Sequence, residues 1–236
     1  MREKMSVSLD GNIVLFGGRR IMPTSVRKLG DMKPVLMEPK EADAAPGRIQ
    51  YYMYRALTRD ADEGVFSSSG LRYDVTVIPP LPIGREFNKT VGHYHADASP
   101  GLSFAEVYEV IAGEAHYLLQ SRDLAQCVLV RAKAGDQVVV PPNFGHVTIN
   151  PSASETLVMA NVVGTFQSDY SLYEKMRGAA YYETTDKRLM PNPEYGEGKK
   201  HLRLENAKRL YEKPLYEAFT AQPQRFSFLR DPTLFK

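Results

Sequence analysis

At 236 residues, with 43% hydrophobic and 25% charged side chains, the chain has the make-up of a soluble globular protein with room for one substantial domain. Thirty Lys+Arg against 28 Asp+Glu leave a formal net charge of +2, too even to suggest a nucleic-acid or membrane partner. The opening MREKMSVSLDGNIVLFGG lacks the apolar run of a signal peptide, and no stretch reaches membrane-span length. The single cysteine, Cys127, excludes an intrachain disulfide framework and fits a reducing, cytoplasmic setting.

In chain order, residues 1–48 read as an N-terminal arm with one or two strands and a short helical piece over 26–31. From 49 to 166 the texture is β. Runs rich in β-branched and aromatic residues at 51–57, 73–78, 86–95, 105–111, 114–120, 126–132, 137–140, 147–150 and 156–163 are separated by turn formers such as Pro79-Pro80, Ala112-Gly113 and Pro141-Pro142-Asn143. Short, regularly spaced strands of this kind predict a mainly β sandwich or barrel. Residues 167–236 form an extension with apolar spacing that predicts helices over 170–182 and 205–219, the second interrupted at Pro214.

Within the β region, Gly92-His93-Tyr94-His95 places two imidazoles on one face of a strand, because side chains alternate with period two. The next strand offers Glu106 and Glu109, which must face opposite sides, and Gly135 to Asn150 brings in His146. Three imidazoles and a carboxylate form a mixed N/O set suited to iron, manganese, nickel or zinc. His116 and His201 fit no such pattern and read as ordinary polar positions. Glu109 reads as part of a solvated face, as does the basic cluster Lys199-Lys200-His201-Leu202-Arg203.

These spacings resemble the two motifs of the cupin superfamily. The His-x-His pair is followed by Glu106 with Gly113 seven positions on, a relation Glu109 does not satisfy. Gly135, Pro141, Asn143, His146 and Asn150 match the second motif, with Asn143 where glycine is usual; asparagine also tolerates a left-handed backbone. Ten residues, 96–105, separate His95 from Glu106, a longer gap than general cupins have. That gap, with Thr90-Val-Gly-His-Tyr-His-Ala96, Ala105-Glu-Val-Tyr108, Tyr117-Leu-Leu-Gln120 and Val140-Pro-Pro-Asn-Phe-Gly-His-Val-Thr-Ile-Asn150, resembles the cupin-type glucose-6-phosphate isomerases of archaea and some bacteria.

The resemblance implies a double-stranded β-helix (jelly-roll) barrel. It also implies one divalent metal, iron first with manganese, nickel or zinc as alternatives, on His93, His95, Glu106 and His146. It assigns Glu106 as proton shuttle and Tyr108 as a catalytic neighbour. Tyr51, Thr76, Thr90, Gly92 and Tyr108 would contact a sugar-phosphate substrate, and the family pairs as homodimers serving glycolysis and gluconeogenesis. Two family positions are not matched: Val162 stands near where an aromatic hydroxyl is expected, and Ser168 where a histidine is. The same ligand set could serve another cupin metalloenzyme, a dioxygenase or the isomerase of a different sugar phosphate, or a non-catalytic sugar-binding cupin.

Overall fold

A computed structural model describes residues 8–196 and 201–235; Lys199 and Lys200 of the basic cluster lie outside the described residues. Two six-stranded sheets make the body of the protein. A small antiparallel sheet of β1 (Ser8–Asp10), β2 (Ile13–Phe16) and β3 (Arg19–Ile21) comes first, followed by β4 (Ser25–Lys28), α1 (Leu29–Met32), α2 (Glu41–Ala44) and β5 (Ile49–Tyr54). Then come α3 (Glu63–Ser69), β6 (Leu71–Ile78), β7 (His93–His95), the hairpin β8 (Asp97–Ser99) and β9 (Leu102–Ser103), β10 (Glu106–Ala112) and β11 (Glu114–Ser121). Next are β12 (Cys127–Lys133), β13 (Gln137–Val140), β14 (Phe144–Ile149), β15 (Leu157–Gly164) and β16 (Ser168–Asp169). The rest comprises α4 (Ser171–Lys175), β17 (Tyr181–Glu183), β18 (Leu189–Pro191), β19 (Leu202–Asn206) and α5 (Leu215–Ala221).

One sheet runs β13-β10-β15-β6-β5-β4 and the other β16-β7-β14-β11-β12-β19. The mainly β architecture follows from sequence: Val, Ile, Tyr and Leu runs suit a pleated, half-buried surface, and β15 is buried along its whole length. One cluster of buried side chains, including Tyr108, Tyr117, Leu119, Val140 and Met159, contains residues of both sheets. A second, with Phe16, Tyr73, Val107, Val162, Tyr216 and Phe219, covers the outer side of the first sheet with α5 and the N-terminal strands. Each fully buried Val, Leu or Phe contributes roughly 1.5–3 kcal/mol, so the α5 side is tightly fastened.

Three local expectations are corrected. Residues 26–31 are not one helix: Ser25–Lys28 pairs antiparallel with β5, and only Leu29–Met32 turns, burying Leu29 and Met32 at three-residue spacing. The helix over 170–182 stops at Lys175, because Gly178 adopts φ +117 against the Val35 carbonyl and the chain turns into β17. The segment 205–219 begins as strand, since β19 pairs parallel with the edge of β12; α5 starts only after Pro214, a residue that favours helix beginnings over interiors.

Candidate metal centre and substrate pocket

Register brings the four candidate ligands together. His93 on β7 lies directly opposite His146 on β14. Glu106 opens β10, and its inward parity is shared by Tyr108 but not by Glu109. The four side chains each offer a ligand atom within 4.8 Å of the others, and His95, Glu106 and His146 are buried. Gly92 sets the approach to β7: it holds φ +81, and a Cβ there would stand 2.4 Å from Val147 Cγ2.

The donors fit a divalent cation. His95 Nδ1 faces the Phe104 carbonyl at 2.8 Å, so that nitrogen carries the proton and Nε2 turns its lone pair inward. His95 Nε2 lies 3.3 Å from Glu106 Oε2, and both atoms are buried without a hydrogen-bond partner. Glu106 Oε1 instead accepts a 2.6 Å bond from Asn161 Nδ2. Burial alone would raise the Glu106 pKa, but His95, His146 and Tyr108 more than offset it and hold the carboxyl below its usual range. Burial holds His93 and His146 well below the usual imidazole value. Histidine neighbours reinforce this at both, and Arg55 and Arg27 add to it at His93. Neutral imidazoles beside an ionised carboxylate are the states that bind a metal.

Tyr108 is buried, with its hydroxyl 3.0 Å from His146 Nε2; burial and the adjacent Glu106 push its pKa well above the ordinary value. The same pocket is lined by Tyr51, Thr76, Thr90 and Gly92, so the structure gathers every predicted site residue except the buried His95 at its surface. Tyr51 accepts a 3.4 Å bond from the Val91 amide, and Thr90 Oγ1 accepts from the Thr148 amide at 3.0 Å. Val162 belongs to the outer cluster, while its neighbour Asn161 faces the pocket; Ser168 lines it too.

Sequence reasoning missed Asn161, Phe104 and three pocket arginines, Arg27, Arg55 and Arg72. It also misjudged Glu109, which is not solvated. Glu109 is 3% exposed, and its carboxylate accepts from Leu215 N at 2.8 Å and Gln137 Nε2 at 3.2 Å, tying the start of α5 to β10. His116 is buried, with Nδ1 2.8 Å from Glu183, whereas His201 is exposed. Asn143 does take a left-handed backbone, φ +68.

A double-sheet β fold carrying an inward-facing three-histidine, one-glutamate cluster defines a cupin with a metal-competent centre. Comparison then places it: residues 26–197 match the family model for glucose-6-phosphate isomerase, and the chain belongs to that enzyme family. It is 31% identical to the glucose-6-phosphate isomerase of Thermococcus gammatolerans, over 69% of this chain and 79% of that one. It is 27% identical to the one from Pyrococcus abyssi, over 72% and 84%. A cupin-like protein of Thermotoga maritima overlaps 52% of this chain and 80% of its own, with TM-score 0.32 and 20% identity. An oxalate decarboxylase of Lactobacillus farciminis overlaps 51% and 30%, with TM-score 0.36 and 19% identity.

Proposed function

We propose that the chain is a metal-dependent aldose–ketose isomerase interconverting glucose 6-phosphate and fructose 6-phosphate, a step of glycolysis and gluconeogenesis, as a cytoplasmic homodimer. The observation that carries the reading is the convergence of His93, His95, Glu106 and His146 within 4.8 Å, with His95 Nε2 and Glu106 Oε2 facing each other and left unpartnered. These residues would hold a divalent cation, iron being the proposed native ion. When bound, such an ion supplies Lewis-acid polarisation of a sugar carbonyl and stabilisation of developing negative charge.

The protein's own groups supply the rest. Glu106, ionised and buried, is positioned to take the proton from C2 of the open-chain aldose and return it to C1. Asn161 fixes that carboxylate in rotation by bonding Oε1, which leaves Oε2 to face the pocket. Tyr108 stays protonated and offers a hydroxyl to a substrate oxygen. Thr76, Thr90, the Gly92 amide and Tyr51 are proposed to receive the phosphate. Arg27 is electrostatically coupled to Tyr51, adding the full positive charge that hydroxyls and amides lack.

The deciding experiment strips purified protein of metal, restores iron, manganese, nickel or zinc one at a time, and follows fructose 6-phosphate conversion. Turnover restored by metal, and abolished in Glu106→Gln, supports the proposal; no turnover with any ion overturns it. Solvent deuterium in the product separates the proton shuttle from a hydride shift.

A further inference from the structure

One wall of the pocket carries charge that isomerisation of a monophosphate does not use. Arg55 follows β5, and Arg72 and Asp74 share a face of β6. Asp74 is fully buried: Oδ1 accepts the Ala56 amide at 2.9 Å, and Oδ2 accepts Arg55 Nη1 at 2.8 Å and Arg72 Nε at 2.9 Å. One carboxylate therefore sets two guanidinium groups side by side. Neither is sealed away, since the Arg55 and Arg72 side chains keep 36% and 32% exposure and line the same pocket as His93, Glu106 and Thr90.

Cross-strand register joins this triad to the reaction centre. Asp74 lies opposite Asn161 on β15, and Asn161 lies opposite Tyr108 on β10. On the other flank, Arg27 sits beside Tyr51 and Tyr170, its guanidinium carbon 6.0 Å from the Tyr170 ring centre and its Nε buried without a hydrogen-bond partner. His93 lines the same pocket and feels both Arg27 and Arg55 electrostatically. Three arginines thus face two carboxylates, Asp74 and Glu106, so the lining is positive by one charge before any metal binds. Arg72 reaches Asp74 through Nε, which leaves the two Nη groups for another partner. Arg55 spends Nη1 on Asp74, and its Nη2 meets only a thioether, Met53 Sδ at 3.2 Å. An arginine fork with spare donors matches a phosphate or carboxylate bidentately.

We propose that Arg55 and Arg72, held by Asp74, form a second anion subsite, so that the pocket prefers sugar esters carrying a second phosphate or carboxylate over simple monophosphates. This rests on the reading of Tyr51, Thr90 and Gly92 as the first phosphate end. Both positive groups line the pocket that holds Glu106, so the ligand class is a phosphorylated sugar or sugar acid with two separated anionic groups.

The test is calorimetric binding to the metal-loaded protein, which needs no turnover. Fructose 1,6-bisphosphate is compared with fructose 6-phosphate for a second phosphate, and 6-phosphogluconate with sorbitol 6-phosphate for a carboxylate. The doubly anionic member of at least one pair should bind about tenfold tighter, the worth of one bidentate charge-assisted contact. Arg55→Gln and Arg72→Gln should each bring that ratio near one, while Arg27→Gln weakens both ligands and keeps the ratio. Each single variant leaves Asp74 one arginine partner, which protects the fold, and Arg72→Lys, which keeps charge but loses the fork, should recover only part of the preference. Equal affinities in the parent protein for both pairs, or a preference that survives both glutamine variants, would overturn the proposal. Absent turnover with every metal counts against the isomerase reading instead, and leaves this ratio to be judged separately.

Discussion

The Phe104 carbonyl holds His95: it lies 2.8 Å from Nδ1 and so decides which imidazole nitrogen faces the candidate metal centre. Phe104 closes the segment 96–105 that separates the His-x-His pair from Glu106. Its ring stacks on Phe166 at 4.9 Å and 11°, and the Phe166 ring in turn lies 4.5 Å from that of His95. The insertion is thus a bracket for a proposed metal ligand. Asn143 fastens it, with Oδ1 accepting from Ser103 N at 2.9 Å and Nδ2 donating to the Gly101 carbonyl at 2.9 Å.

From that bracket follows the first prediction. Asn143→Ala removes both tethers and puts a β-carbon residue without polar compensation at φ +68, so it should cost about 1–3 kcal/mol of stability. Because the tethers reach His95 through Phe104, metal affinity should also fall, by roughly 10–100-fold. Thermal melts and competitive metal titration check the two effects. An unchanged metal affinity would show that His95 is oriented without the bracket.

Asn161 gives the second. Its 2.6 Å bond to Glu106 Oε1 is buried, so Asn161→Leu leaves that oxygen without its donor while preserving volume. Turnover should drop about 10–100-fold through kcat, since the bond positions the proposed shuttle rather than the substrate. Asn161→Gln, which keeps an amide at a different reach, should recover little, and Asn161→Ala should not exceed it. A loss confined to KM would assign Asn161 to substrate contact instead.

How much of this was readable beforehand depends on where the information lies. The four residues that converge were legible because three imidazoles and a carboxylate form a recognisable donor set, and of Glu106 and Glu109, which period two puts on opposite faces, only Glu106 has Gly113 seven positions on. Phe104 was not, because it acts through a backbone carbonyl that no side-chain motif reports. Arg55 and Asn161 were hidden for another reason: they meet Asp74 and Glu106 from neighbouring segments, and register between distant segments is not written in local sequence; Arg72 shares a strand face with Asp74, but that pair reaches the pocket only through the same register. Glu109 shows the limit of parity. Alternation places it off the inner face, yet only the tertiary fold reveals that α5 covers the outer one.

That covering yields the third prediction. Burial, with Glu217 as a like charge, raises the Glu109 pKa above its ordinary 4.5, despite bonds from Leu215 and Gln137 that lower it. A carboxyl with a raised folded pKa is favoured protonated in the folded state. Its stabilising effect is therefore complete below the unfolded value of 4.5 and lost as pH rises through the higher folded value. Glu109→Gln still accepts from Leu215 N but has no charge to desolvate, so its stability should lack this step. Denaturant melts of both proteins from acid to neutral pH should show the parent losing ground to the variant above the ordinary carboxylate range. Parallel curves would show that Glu109 does not titrate in that window.

The approach to β7 supplies the last prediction, and it separates stability from chemistry. Gly92 combines φ +81 with a wall on its Cβ side, Val147 Cγ2 at 2.4 Å and the His146 carbonyl at 3.1 Å. Gly92→Ala must therefore adopt a conformation costing about 1–2 kcal/mol and also displace Val147, an overpacking penalty of roughly 1–3 kcal/mol more. Val147 adjoins His146, so the displacement reaches a proposed ligand directly. The paired control is Val147→Ala with Gly92→Ala, which opens the space but not the backbone. If the clash dominates, the double variant should regain most of the metal affinity lost by Gly92→Ala while keeping a lowered melting temperature. If the left-handed backbone dominates, metal affinity should stay low in both. Melting curves and metal titration on the three proteins separate the two contributions.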